Sequence, residues 1–481
     1  MANYIADKSK GAVNPYNFVS IGNAVERSKQ ITGNNSGVIH CKLVNSTPLA
    51  IPDLPIAKKI KCDDTGLMEH KETKFFKIDG KPVIPGSEIR GVIRSAYETL
   101  SNSCFSVNNN NILSARSSDV RTPGIIRYEN RDNKWHLYKA TAKKLKYDGS
   151  EDFDETPDTF KRLWRNYKYK NKRADYRGGK VEVTYKFSTT FEEVEADDLD
   201  RAIKDYIEVC KIYVKNDSKI KKYIPPKLNK DGTCYPLYYK QFKENGGKYV
   251  YLSPAQISRS VFKNKLDDLL GSHSHCTDPE NVCDACRMFV MIGNGSNEKI
   301  SALASKIRFT DAVIKNKPKY IKAILKELAS PKISSVEFYS TVPDMQYLWT
   351  YDSNGIKING RKFYFHHNDD DYTTAERTKR NMTTELVGKG AEFQFDVFFD
   401  RITDDELHKL VWTLAIGENN PDGIQQHKLG HGKPLGLGSV KITVDSIEKR
   451  FFDREKMEYA VEKPDIEKYF SEIPFDDKSK Y

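Results

Sequence analysis

Three stretches of this 481-residue chain carry side chains able to do chemistry. The first reads HSHCTDPENVCDACRMF, where His273 and His275 precede Cys276, Cys283 and Cys286. His273 with Cys276 and Cys283 with Cys286 form two knuckles, each setting two ligands on a tight turn. Three thiolates and one imidazole match the closed tetrahedral shell of a structural zinc ion. The spacing selects His273 over His275. The other five cysteines (Cys41, Cys62, Cys104, Cys210, Cys234) are scattered and read as ordinary reduced residues. Eight cysteines so placed do not make a secreted disulfide scaffold, so a cytoplasmic, reducing compartment is expected.

The second stretch is GHGKPLGLGSV, with Gly430, Gly432, Gly436 and Gly438 beside His427, Lys428, His431 and Lys433. Glycines mark backbone held at positive φ or pressed against something large. Glycines with cations suit a loop that lets a phosphate backbone reach peptide N–H groups. An ordinary turn between two strands explains the glycines equally well. The third stretch is FKRLWRNYKYKNKRADYRGGKVEVTYKF, from Phe160 to Phe187. Lys161, Arg165 and Lys168 alternate there with Trp164, Tyr167 and Tyr169. Cations for phosphates interleaved with rings for bases are the composition of a single-strand nucleic-acid contact. A solvated basic face with rings packed behind it is the plainer alternative.

These stretches need elements to position them. Alternation over Val38, His40, Lys42 and Val44 predicts a strand ending near Thr47 and Pro48. Residues 53–82 read as a charged loop. IPGSEIRGVIRSAYETL predicts a helix capped by Ser87, with Ile89, Val92, Ile93, Ala96 and Leu100 inward and Arg90 and Arg94 sharing a face. Gly91 is a poor helix former, and its presence there suggests close backbone approach by something. DDLDRAIKDYIEVCKIYVK predicts a helix, and SKIRFTDAVI a strand. Residues 315–340 predict a helix (YIKAILKELAS) and then a strand (SVEFYST). RKFYFHH and GAEFQFDVFFDR predict strands, and TDDELHKLVWTLAI a helix capped by Thr403.

The net charge of +11 comes from 78 basic and 67 acidic residues, which favours a polyanionic partner. No apolar run approaches the roughly 20 residues of a membrane span, and the first residues lack an apolar h-region, so neither a signal peptide nor a membrane role is expected.

The order strand, IPGS-helix, late strand, helix, glycine loop and strand fits an α+β, ferredoxin-like core of the RNA-recognition-motif kind with large insertions. TPLAI, IPGSEIRGVIRS, CDACRMF, SKIRFTDA, GRKFYFHH and KLGHGKPLGLGSVKI together resemble the RAMP superfamily. More closely they resemble Cas-seven backbone subunits of type III-D-like CRISPR effector complexes. The resemblance implies an RNA-binding antiviral-defence subunit that stacks, in several copies or beside paralogues, along a guide CRISPR RNA presented to complementary target RNA. It implies that Ser87, Arg90, Arg94, Lys428, Lys433 and the Gly430–Gly438 loop hold guide phosphates. It also implies a thumb-like hairpin within the 106–250 insertion.

Many type III members cut target RNA with an aspartate between the first strand and the IPGS turn, through a metal-bound water. In this sequence Glu69, His70 and Glu72 stand nearest that turn, and Asp53, Asp63 and Asp64 lie earlier. Those three are the candidate catalysts of an alternative, Mg-dependent endoribonuclease reading. A third reading is guide processing by His427 or His431 as general acid or base. The expected organisation is an N-terminal arm (1–36), the first part of the core (37–105), a basic insertion (106–250), a zinc-loop region (251–300), the second part of the core (301–450) and a C-terminal tail (451–481).

Overall fold

The computed structural model describes residues 14–62, 66–106, 113–116, 121–144, 156–166, 181–216, 227–244, 246–255, 259–292, 302–329, 335–343, 349–367 and 371–476. It is a mixed α/β structure with more strand than helix. The chain divides into two compact units. The first comprises residues 1–108, 270–331 and 358–481; the second comprises 109–269 and 332–357.

The first unit is built on a sheet that has nine strands among the described residues. Its centre consists of β1 (Asn35–Asn45), β2 (Ile307–Phe309) with β3 (Ala312–Ile314), β4 (Glu392–Ile402) and β5 (Ser439–Asp453). All neighbours are antiparallel, in the order β5, β1, β4, then β2 and β3. Helix α1 (Gly86–Leu100) follows β1, and α2 (Asp404–Ala415) follows β4.

Period-two alternation decides which face is buried. Ile39, Cys41 and Leu43 of β1 share one core with Phe393, Phe395, Val397 and Phe399 of β4, with Ile89, Ile93 and Tyr97 of α1 and with Leu407, Leu410 and Leu414 of α2. Helix α2 starts as expected: Thr403 Oγ1 accepts the Glu406 N–H at 3.1 Å, and the Glu406 carboxylate accepts the Thr403 N–H at 3.0 Å.

Three expectations need correction. Residues 53–82 are not a loop, because Ile56–Cys62 and Gly66–Thr73 form an antiparallel hairpin. Its second strand runs parallel to Met382–Val387, and its charge-rich sequence hid the period. YIKAILKELAS is not helical: Tyr320–Ile324 is a strand, and the short helix comes later, at Val336–Tyr339. Ala323 and Leu325 pack with Leu386 and Leu437, and this sheet pairing overrides the helical period. Ser87 is not the cap of α1. The helix begins two residues earlier than a Ser87 cap would set it, at Gly86, whose N–H donates to the Asp311 carboxylate at 2.8 Å.

The second unit has its own four-stranded sheet, in the order Gly247–Ser253, Cys234–Glu244, Thr122–Glu129 and Lys134–Lys139. Helix Leu199–Asn216 covers it, with Ala202, Ile203, Tyr206 and Cys210 packed on Ile126, Leu137, Leu237 and Val250. A ribbon of Thr141–Lys144, Thr159–Asn166 and Val181–Ser188 carries part of the basic–aromatic stretch.

Candidate functional site

Two of the three stretches singled out in the sequence, the cysteine group and the glycine loop, meet at α1. At its N-terminal end, Gly86 lies so close to β2 that a Cβ would sit 2.5 Å from the Phe309 carbonyl oxygen. One residue further into the first turn past Ser87, Glu88 accepts the Gly430 N–H at 2.9 Å. The glycine loop is thereby joined to the helix.

The loop is also zipped onto the STPLAI segment after β1. Gly438 N–H donates to the Pro48 carbonyl at 3.0 Å, His431 N–H to Ala50 at 2.9 Å, and Ser439 N–H to Thr47 Oγ1 at 3.0 Å. All four glycines have positive φ. Gly438 shows the requirement most sharply: φ is +77°, and a Cβ there would lie 1.9 Å from the Leu429 carbonyl oxygen. The glycines are thus explained by the protein's own backbone packing. Lys433 opens the short 3-10 turn Lys433–Leu435 at the loop's tip and is partly exposed.

The histidines and Lys428 lie deeper. Lys428 Nζ donates to the Gly436 carbonyl and to Ser439 Oγ, both at 2.8 Å. Burial, aided by the charge of Lys433, pulls its ammonium down to about 8. His427 is buried with Nε2 3.0 Å from the Leu414 carbonyl, and burial pulls its imidazole down to about 4. His366, 3.0 Å from Ser439 Oγ, is likewise pulled to about 4, chiefly by burial. Burial also lowers His431. Burial thus disfavours the charged form of all three imidazoles.

The outer side of α1 is different. Ser87, Gly91 and Ser95 are exposed at four-residue spacing, and nothing lies within 4 Å of a Cβ placed on Gly91. Among the described residues, no atom makes the close approach that Gly91 suggested. Arg90 and Arg94, expected to hold phosphates, are engaged by the protein. Arg90 donates to the Phe289 carbonyl. Arg94 donates to Glu98 at 2.7 Å and to the Cys286 sulfur at 3.8 Å.

The C-terminal end of α1 leads into a cluster of four buried thiols. Cys104, Cys276, Cys283 and Cys286 place their sulfurs within 4.8 Å of one another. Cys104 Sγ lies 3.5 Å from both Cys283 Sγ and Cys286 Sγ. A tetrahedral ion with bonds of about 2.3 Å to sulfur needs sulfurs about 3.8 Å apart, so this donor set fits a metal ion such as zinc. Hydrogen bonds from Cys104, Cys276 and Cys286 lower the Cys283 thiol well below its ordinary range. The fourth ligand is corrected from His273 to Cys104. The knuckle spacing gave no sign of Cys104, because it arrives from the end of α1. His273, buried nearby, contributes its carbonyl to the Phe105 N–H at 2.9 Å.

Arg361 of the GRKFYFHH segment closes the module, donating to Glu98 at 3.2 Å and to the carbonyls of Ser103 and Cys104 at 2.6 and 3.0 Å. Sequence reasoning missed this residue; a basic residue at the head of an aromatic strand was its only mark.

Asp53 is exposed, its carboxylate accepting the Leu54 N–H at 2.8 Å. Asp63 and Asp64 fall outside the described residues, as does Lys168. Lys161 pairs in register with Lys186, and Arg165 with Glu182, along the second unit's ribbon. Among the described residues, no other group of three potential metal ligands comes together. No helix among them is long and apolar enough to cross a membrane.

The family model described as RAMPs, RAMP superfamily, matches residues 68–441. The chain belongs to the RAMP superfamily. In this RAMP chain the matched span takes in the IPGS-helix, the thiol cluster and the glycine loop. Two solved structures are similar to it. The crystal structure of Thermofilum pendens Csc2 aligns at 9% identity and a TM-score of 0.28, covering 92% of this chain and 82% of that one. The cryo-EM structure of the type III-B Cmr-beta complex bound to cognate target RNA contains a chain that aligns at 10% identity and a TM-score of 0.21, covering 84% of this chain and 96% of that one. Such loose superpositions transfer no residue roles, and the membership rests on the family match. No curated protein matches the chain.

Proposed function

We propose that this RAMP chain is a guide-RNA-binding backbone subunit of a type III CRISPR effector complex, presenting the guide for pairing with target RNA. The observation that carries the reading is the junction of α1 with the glycine loop through Glu88 and Gly430, in a chain of this superfamily.

The guide backbone runs along the exposed side of α1. The Ser87 hydroxyl donates to a phosphate, Lys433 supplies charge, and the missing side chain of Gly91 lets the strand come close. Arg90, Arg94 and Lys428 act as positioning residues. The arginines tie α1 to the thiol module, and Lys428 holds the loop closed. Zinc held by Cys104, Cys276, Cys283 and Cys286 has a structural role, since four protein ligands leave no open position. We read the first unit as a ferredoxin-like core, a reading supported by the order β5, β1, β4, β2/β3 with two crossover helices. The ribbon Thr159–Asn166 with Val181–Ser188 is the base of the thumb-like hairpin. The partners are the guide, its target RNA and neighbouring effector subunits, in the cytoplasm.

The test is binding of the purified chain to a labelled CRISPR RNA, followed by addition of complementary RNA and Mg²⁺. Guide binding with intact target supports the reading. Target cleavage that is lost in Asp63→Ala/Asp64→Ala would replace it with an endoribonuclease.

A further inference from the structure

The N-terminal arm has little apolar surface to hold it. Between Asn14 and Asn34 no residue is fully buried, and Val25 is only partly buried where it packs on the core of the first unit. Segments of this kind open readily unless their backbone is tied down by hydrogen bonds. The arm's hydrogen bonds therefore decide what keeps it in place, and they converge on the thiol module.

Gly22 N–H donates to Asn102 Oδ1 and Val25 N–H to the Asn102 carbonyl, both at 3.2 Å. One guanidinium nitrogen of Arg27 donates to the carbonyls of Ser272 and Ser274, at 2.7 and 2.6 Å. Ser28 and Val282 exchange a pair of backbone hydrogen bonds, each of 3.0 Å, as an antiparallel bridge. Arg287 donates to Ser28 Oγ, and Gln30 donates to the Arg287 carbonyl at 3.3 Å. Asn102 stands shortly before Cys104, Ser274 shortly before Cys276, Val282 beside Cys283 and Arg287 beside Cys286. Each of the four thiols thus has one of the arm's anchors close to it in the chain. At Ile31 the attachment changes. The Ile31 carbonyl accepts from Lys306 Nζ at 2.6 Å, and Gly33 N–H donates to the Arg401 carbonyl at 2.9 Å, so the chain is tied to the sheet from there on.

The module has little regular structure of its own to hold those anchors. Residues 274–283 contain no helix or strand, and the helix that follows, Asp284–Met288, has five residues. A loop of this kind takes its shape from the ion that its ligands share. The sheet is held differently. Strands β1, β4 and β5 are joined by their own long ladders and bury Ile39, Leu43, Phe393 and Val397.

We infer that the four-thiol site, when it holds its metal, is a clasp for the N-terminal arm. In the loaded chain Gly22 to Gln30 lies fastened across the module. In the metal-free chain the arm detaches as far as Ile31, while the sheet stays folded. The release extends beyond the arm itself. Tyr16–Val19 pairs in register with Arg361–Tyr364, whose first residue donates to the Cys104 carbonyl. Just past that strand, His366 faces Ser439 at the glycine loop. Metal occupancy is thereby transmitted from the thiols, through the arm and its partner strand, toward the glycine loop. The inference rests on the reading of the thiol cluster as a metal site and adds to it a conformational role.

Hydrogen–deuterium exchange of the full chain, read by mass spectrometry, tests this on two samples, one loaded with zinc and one stripped by a chelator under reducing conditions. Metal analysis of both comes first. Amides of residues 22–30 should exchange about tenfold faster or more in the stripped chain, as a segment freed of its hydrogen bonds does, and added zinc should restore them. Amides of β4 should exchange equally in both samples. Arg27→Ala/Ser28→Pro removes anchors and no ligand. Its arm should exchange fast in both states, and it should still carry about one equivalent of zinc. It should hold that zinc about fivefold more weakly against a competing chelator, because coupling between two sites is reciprocal. Arm exchange indifferent to zinc would overturn the inference. So would β4 opening together with the arm, because the metal would then hold the whole unit, and so would a variant with a protected arm or an unchanged zinc affinity. A chain that takes up no zinc fails the metal reading and this inference together, whereas a loaded chain with an indifferent arm fails this inference alone.

Discussion

Glu88 Oε1 accepts the Gly430 N–H at 2.9 Å, so two motifs 342 residues apart in sequence are held as one surface. An ionised acceptor on a backbone donor is among the stronger protein hydrogen bonds. Glu88→Ala strands the Gly430 N–H and should cost about 1–3 kcal/mol. Glu88→Gln keeps an acceptor oxygen and should recover most of that. Calorimetric unfolding of the two variants checks the difference, and equal losses would contradict the role assigned to Glu88.

The thiol module makes a claim about identity as well as presence. Cys104→Ser should lose about one equivalent of zinc, because one of four ligands is gone, whereas His273→Ala should keep it. Metal analysis of the purified variants decides. Zinc lost in His273→Ala and kept in Cys104→Ser would restore the ligand set expected from spacing.

Gly91 and Gly438 separate folding from binding. Gly438→Ala puts a Cβ 1.9 Å from the Leu429 carbonyl oxygen at a φ of +77°, and should lower the melting temperature sharply or block folding. Gly91→Ala meets open space in a helix and should add up to about 1 kcal/mol of stability. If the guide passes over Gly91, that same stable variant should bind RNA less tightly. Unchanged affinity would move the guide elsewhere.

Acid should weaken the loop in a defined window. His427 is held near a pKa of about 4 in the folded chain, against 6.5 when exposed. Between those values the unfolded chain takes up a proton that the folded chain refuses, so stability falls as pH drops from 6.5 to 4. The full shift corresponds to about 3 kcal/mol. Melting temperatures of wild type and His427→Gln should differ most at neutral pH and converge toward pH 4. A constant gap would show that His427 is not held neutral.

Much of this was legible in the sequence, and the failures have physical causes. The alternation of Phe393, Phe395, Val397 and Phe399 and the capping box at Thr403 are local patterns, and both are found as read. The glycine loop was found for a true reason, positive φ, and of its two lysines Lys433 lies at the tip while Lys428 turns inward. Lys428 could not be known to turn inward without Gly436 and Ser439 in view. Arg90 and Arg94 share a helix face, yet that face meets Phe289 and Cys286. Cys104 stands 182 residues from Cys286, and no local spacing could join them. Tyr320–Ile324 was misread because its isoleucines and alanine satisfy both periods, and only its neighbours in the sheet select one.

The central claim is that the exposed side of α1 and the tip of the glycine loop hold guide phosphates. Fluorescence anisotropy with a labelled CRISPR RNA, comparing wild type with Ser87→Glu/Lys433→Glu, addresses it most directly. Both residues are at least partly exposed, so the variant should melt like the wild type. The expected result is an affinity loss of about tenfold or more, with a shallower dependence on salt, because phosphate contacts and released counterions are lost together. A folded variant that binds the guide as tightly as wild type, with the same salt slope, would contradict the account.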